Sequence, residues 1–178
     1  MMVEPGQYEP LRILVTGWRH WPEEHRDVIE DALAAVTAGV LPSGWAPPAS
    51  AVQPDWAGRP IIVRHGMCPY GGADLWADRW AVEHGHLADR HPADKFGRDM
   101  RIAGPLRNTW MVEYGPTPDI CLAFPGPGST GTWDCIRKAT RKGIEVVIVG
   151  FGDRPYDKAT PRAPIQWPPS NMDMLVKG

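Results

Sequence analysis

Four short apolar runs, and a fifth, mixed segment read as a short strand, alternate with helix-like stretches, and this alternation narrows the possible folds more than any other feature of the chain. The apolar runs are LRILVTG (Leu11 to Gly17), PIIVRHG (Pro60 to Gly66), DICLAF (Asp119 to Phe124) and IEVVIVG (Ile144 to Gly150), and the mixed segment is HLADRHPA (His86 to Ala93). The apolar runs lack the polar alternation of strands that face water on one side, as expected of strands covered on both faces. Between the first two, residues 22–39 carry Val28, Ala32, Leu33 and Val36 at helical spacing. Pro22 suits a first helical position, Glu23 and Glu24 suit the positive end of the helix dipole, and Gly39 can end the helix. GGADLWADRWAVEHG reads as a helix with Ala73, Ala77, Trp80 and Ala81 on one face. GPLRNTWMVEYG reads as another, with Leu106, Trp110 and Tyr114 aligned, and Thr130 to Lys142 as a fourth. Strand followed by helix, repeated, predicts an α/β fold: a Rossmann-like, doubly wound parallel sheet of about five strands.

With 178 residues the chain suits one domain, read as residues 1–150. Pro42, Pro47, Pro48, Pro54 and Pro60, with Trp45 and Trp56 among them, mark residues 41–60 as an insertion, and residues 151–178 form a proline-rich tail. Nineteen Lys and Arg against twenty-one Asp and Glu leave a formal net charge of −2, so nucleic acid is not an expected partner. No apolar run approaches the roughly 18 residues of a membrane span. The N-terminus lacks the pattern of a signal peptide. Three cysteines, an odd number, argue against a disulfide framework and for a reducing cytoplasm.

In open parallel sheets, ligands bind beyond the carboxyl ends of the strands. Here those ends read TGWRHW, RHGMCPYGGAD, HPADKFG and FPGPGSTGTWD. Gly17, Gly66, Gly71, Gly72, Gly126, Gly128 and Gly131 allow backbone N–H groups to approach an oxyanion, and a following helix N-terminus adds partial positive charge. Ser129, Thr130 and Thr132 add hydroxyls, with Ser129 or Thr130 expected to cap the fourth helix. Arg19 and Arg107 can fork onto phosphate or carboxylate, Asn108 lies beside the second, and Asp74 can cap its helix or accept a ribose hydroxyl. One glycine turn alone is commonly just a tight turn; several at equivalent strand ends point to a shared phosphate-binding cleft. No lysine follows the glycines as in a P-loop, GPGSTG is not a dinucleotide fingerprint, and no G-x-S-x-G elbow occurs. His65 and Cys68, with His84, His86 and His91 further on, make only a weak zinc pattern, so neither a metal nor a cofactor is expected.

RILVTGWRHW, VRHGMCPYGGAD, HPADKFGRDMRIAGPLRNTWM and LAFPGPGSTGTWDCIRKATRKGIEVVIV together resemble the YspA-like branch of the SLOG superfamily over about residues 11–150. That superfamily also holds the Lonely Guy phosphoribohydrolases and the DprA proteins. The resemblance implies a Rossmann-like fold with a nucleotide pocket, and a homodimer, to which Trp76, Trp80 and Trp110 would contribute. Arg107, followed by Met111, is similar to the catalytic Arg of Lonely Guy enzymes, and Gly131 and Thr132 match the G-T of their glycine loop. Cys135 stands where their catalytic Glu is expected, and Asp134 falls one position short, about 100° round a helix. HGMCPYGGAD carries one residue more than the family's H-G-x-C-P-x-G-A-D. The expected activity is binding of a nucleotide or nucleotide-derived ligand. The alternative is N-glycosidic hydrolysis of a nucleoside 5′-monophosphate with Arg107 and Asp134 or Asp74 as catalytic groups; single-stranded nucleic acid, by analogy with DprA, is a third reading that the net charge disfavours.

Overall fold

The computed structural model of the chain describes residues 8–40 and 53–149. Most of the 41–60 insertion and all of the 151–178 tail lie outside these residues; within them, residues 54–56 form a single 3-10 turn that buries Trp56. Five strands, β1 (Leu11–Gly17), β2 (Ile61–His65), β3 (Leu87–Arg90), β4 (Ile120–Phe124) and β5 (Glu145–Ile148), form one sheet in the order β3-β2-β1-β4-β5. All four pairings are parallel, with Leu11 opposite Ile61 and Ile13 opposite Ile120. The expected α/β doubly wound fold is therefore present. All five residues of β4 are buried, which explains why its run shows no polar alternation.

Four helices cover the sheet: α1 (Arg26–Thr37), α2 (Ala73–Glu83), α3 (Met100–Glu113) and α4 (Thr130–Lys142). α1 and α2 pack together, as do α3 and α4. This follows from right-handed crossovers: two lead outward from β1 to β3, one returns across the sheet to β4, and the last continues to β5. The chain direction thus reverses between β1 and β4, opening a crevice at their carboxyl ends.

Two helices differ from the sequence expectation. α1 begins after a 3-10 turn at Glu23–His25, and its buried face is Ile29, Ala32, Leu33 and Val36, with Val28 only packed at the margin. α3 begins four residues before Gly104 and carries Pro105 in its interior. Its buried face is Ala103, Asn108, Met111 and Val112, whereas the aligned Leu106, Trp110 and Tyr114 face solvent. Four-residue spacing identifies a helix face without saying which side is the core. Trp76 and Trp80, by contrast, are buried in the main core, so they supply packing rather than a surface for a partner.

An internal polar network fastens β2 to its neighbours. Buried His65 pairs through Nε2 with Asp78 at 2.9 Å, and its Nδ1 accepts the Met67 N–H at 3.1 Å. Asp78 also accepts Arg90 Nε at 2.6 Å, joining α2 to β3. On the other sheet face Arg64 donates to Asp89 at 2.7 Å and to the Met111 carbonyl at 2.8 Å, fixing the end of α3. Hydrogen bonds from His91 and Arg64 hold the Asp89 carboxyl down at about 2.

Candidate functional site

The carboxyl ends of β1, β2 and β4 converge with α3 on a polar cavity of about 290 Å³. β1 contributes Val15, Thr16 and Gly17, with Trp18, Arg19 and His20 beyond its end. Gly66, Cys68 and Asp74 come from the β2–α2 connection, Arg107, Asn108 and Met111 from α3, and Pro127 to Thr132 from the β4–α4 connection. Eleven of the residues expected from sequence thus share one cavity: Gly17, Arg19, Gly66, Asp74, Arg107, Asn108, Gly128, Ser129, Thr130, Gly131 and Thr132. Gly71, Gly72, Gly126 and Asp134 do not line it. Trp18, His20 and Cys68 were not expected; their signal was position, since all lie within the quoted strand-end segments.

The glycines divide by what their missing side chain makes room for. A Cβ at Gly17 would strike Ala73 at the start of α2, and one at Gly126 would strike the Trp18 indole. One at Gly72, where φ is +74°, would strike the Trp18 and Arg19 backbone. These three close the protein on itself, and Gly71 at φ +92° completes the turn before α2. At Gly66 the same space is filled by the Arg107 guanidinium, whose Nη1 donates to the Gly66 carbonyl at 2.6 Å. Gly128 and Gly131 differ: nothing lies within 4 Å of a Cβ built at either. Their N–H groups have no acceptor among the described residues. Gly131 lies in the first turn of α4 and Gly128 just before its N-cap Ser129, where unpaired N–H groups and the helix dipole favour an anion.

Ser129 occupies the N-cap of α4 but does not cap it, and neither does Thr130. The Ser129 hydroxyl turns back, accepting the Gly126 N–H at 2.9 Å and donating to the Gly126 carbonyl at 2.7 Å. It staples the loop; at the start of α4 the Thr130 N–H donates to the Gly128 carbonyl and the Thr132 N–H to the Ser129 carbonyl, and the Gly131 N–H is left without an acceptor among the described residues. Ser129→Ala should therefore strand a buried Gly126 N–H and destabilise the fold by about 1–3 kcal/mol. Urea denaturation checks this; an unchanged midpoint would remove the staple.

Arg107 is aimed by an amide. Its Nε donates to Asn108 Oδ1 at 2.9 Å, and Asn108 Nδ2 donates to the Gly131 carbonyl at 3.0 Å and to Asp134 at 2.9 Å. Asn108 thereby ties the arginine to the glycine loop. Asp134 is engaged by this amide and by Lys138 Nζ at 2.8 Å, which holds its carboxylate away from the cavity. Cys135, at the position of the expected Glu, is fully buried; burial pushes its thiol up to about 12, against the Thr16 hydrogen bond.

Asp74 is the carboxyl that does line the cavity. It is not a cap: Gly72 holds the N-cap of α2 without a side-chain bond, and Asp74 accepts the Cys68 N–H at 3.3 Å. Burial raises its pKa, opposed by His65 and by Arg107. Burial likewise raises the Cys68 thiol. Met67, the one non-glycine residue at positive φ among the described residues, is held at +44° by its N–H bond to His65, and this bends the loop that presents Cys68. Both nitrogens of His65 are thus engaged inside the protein, away from any ligand in the cavity.

Fold and site together define a Rossmann-like α/β protein with a polar crevice at the topological switch point. The chain is 37% identical over 149 residues to the Gene 61 protein of Mycobacterium phage D29, an alignment covering 81% of this chain and 98% of that protein. The chain belongs to the family of that phage protein. No protein-family model matches it, and no solved structure does. No helix among the described residues is long and apolar enough to cross a membrane.

Proposed function

We propose that the chain binds a nucleotide or nucleotide-derived ligand in this crevice, with a phosphate on the Gly128–Thr132 turn and the Arg107 guanidinium beside it. The observation that carries the reading is the pair of unpaired N–H groups at Gly128 and Gly131, opening α4 onto the same cavity as Arg107. Backbone donors at a helix start supply shape and partial charge, and the arginine supplies a full charge with a fixed fork. A cavity of about 290 Å³ sits at the lower end of small-molecule sites, which run from roughly 300 to 1,000 Å³, and suits a mononucleotide-sized group. The resemblance of the four strand-end motifs to the YspA-like branch of the SLOG superfamily supports the same reading.

Binding without turnover is favoured over N-glycosidic hydrolysis. A hydrolase needs a group that stabilises the developing oxocarbenium ion or activates water. Asp134 is tied up by Asn108 and Lys138, and Cys135 is a buried neutral thiol. Asp74 alone keeps the second reading open, because it is a cavity-lining carboxyl whose pKa is raised. Incubation with AMP, ADP-ribose and NAD, followed by chromatography and calorimetry, separates the two. Saturable binding with the nucleotide recovered intact is the expected result. Release of free base would establish the hydrolase, and no binding to any of the three would contradict both.

A further inference from the structure

We infer that Arg19 forms a second anion subsite on the rim of the crevice, and that the ligand is a nucleoside carrying a diphosphate rather than a monophosphate. The inference rests on the nucleotide reading above and specifies its ligand. The cavity has a buried floor and an exposed rim. Val15, Thr16, Asp74, Asn108 and Met111 line it and are buried. Gly128, Thr130, Gly131, Arg19 and His20 line it and are exposed. A nucleoside fits the floor, so a phosphate chain that starts at the Gly131 N–H runs along the rim. The cavity of about 290 Å³ then holds the nucleoside and the first phosphate, and the second lies at its mouth.

Packing brings Arg19 to that chain. Trp18, the residue before it, donates its N–H to the Phe124 carbonyl at 2.8 Å, and its indole fills the space beside Gly126. The β1–α1 connection thus rests on the start of the glycine loop. Arg19 and Arg107 both lie near enough to the Cys68 thiol to oppose the rise that burial gives its pKa, so the two guanidiniums flank one part of the cavity. They differ in engagement. Arg107 is bonded to Gly66 and Asn108. Arg19 makes no hydrogen bond or ion pair among the described residues; its guanidinium stands over the Tyr70 ring, 5.6 Å from the centroid, and Tyr70 is 69% exposed. An exposed cation–π contact is a weaker partner for a guanidinium than a phosphate, which accepts two parallel N–H bonds. Arg19 therefore exchanges the ring for a phosphate without breaking a hydrogen bond. Asp74 is the one carboxyl among the described lining residues and is buried, so no acidic side chain opposes a second phosphate on the rim. A single phosphate held by Gly131 and Arg107 would leave Arg19 unused.

Calorimetry of the full chain with AMP and with ADP tests the proposal, with EDTA present so that no metal bridges the second phosphate. The parent should bind ADP at least about tenfold more tightly than AMP. Arg19→Gln should bring the two affinities to within about twofold of each other. Arg19→Ala replaces it if the parental circular dichroism spectrum is lost. Arg107→Lys should lower both affinities and keep the preference for ADP, because the first phosphate is common to the two nucleotides. Equal affinities in a parent that binds AMP would overturn the second subsite and leave the nucleotide reading standing. A preference that survives in Arg19→Gln would take Arg19 out of the subsite, and one lost in Arg107→Lys would place both phosphates on Arg107; either result overturns the inference. Binding of neither nucleotide by the parent would overturn it together with the nucleotide reading.

Discussion

Gly131→Val is expected to fold as the parent does and to lose affinity for AMP by well over tenfold, which corresponds to more than about 1.4 kcal/mol. Two observations separate the folding consequence from the binding one. Gly131 lies in the first turn of α4 without positive φ, and nothing lies within 4 Å of a Cβ built on it, so valine fits the fold. Gly131 also lines the cavity, and its N–H has no acceptor among the described residues. A branched side chain there fills the space through which a phosphate would reach that N–H. Calorimetry with AMP, alongside thermal melts, checks both halves. Parental affinity in a folded variant would reduce the turn to a structural connection.

Arg107→Lys should also lower AMP affinity by about tenfold or more, although formal charge is unchanged. The guanidinium is placed by two bonds, Nη1 to the Gly66 carbonyl and Nε to Asn108, and these aim the rest of the fork at the cavity. A lysine offers one point charge on a flexible stem and cannot make both bonds while facing a phosphate. The space opposite Gly66 then loses the group that fills it. Equal affinity in parent and variant would take Arg107 out of the site. Asn108→Ala offers a graded comparison, since it keeps the guanidinium and removes the amide that joins it to the Gly131 carbonyl and Asp134.

Four of the five strands were legible because strands covered on both faces announce themselves as unbroken apolar runs; β4, with every residue buried, is the clearest instance, whereas the edge strand β3, with two of its four residues exposed, carries no such run. The edge that carries the crevice was legible for the same reason, since strand–helix alternation puts the carboxyl ends of all the strands on one side; the switch point between β1 and β4 comes from the strand order, which alternation does not fix. What each residue does there was less legible. Sequence presents seven strand-end glycines as equals, yet Gly17, Gly72 and Gly126 close contacts within the protein while Gly128 and Gly131 face open space. That division depends on which loop packs on which, and residue type carries no record of it. The Ser129 hydroxyl had two backbone targets within reach, and it turns toward Gly126 rather than the helix N–H groups. Asp134 lies near the position of a catalytic carboxylate, but Asn108 and Lys138, one of them from another helix, decide where it points. For α3, spacing located the helix and misassigned its inner face, because its buried side includes the polar Asn108 while its apolar stripe is exposed.

Crystals of the parent soaked with AMP test the phosphate site at the start of α4. The phosphate is expected there, within hydrogen-bond distance of the Gly131 N–H and the Arg107 guanidinium, with the nucleoside in the cavity lined by Trp18, Cys68 and Asp74. A phosphate bound elsewhere on the molecule, or an empty crevice at saturating AMP, would contradict it.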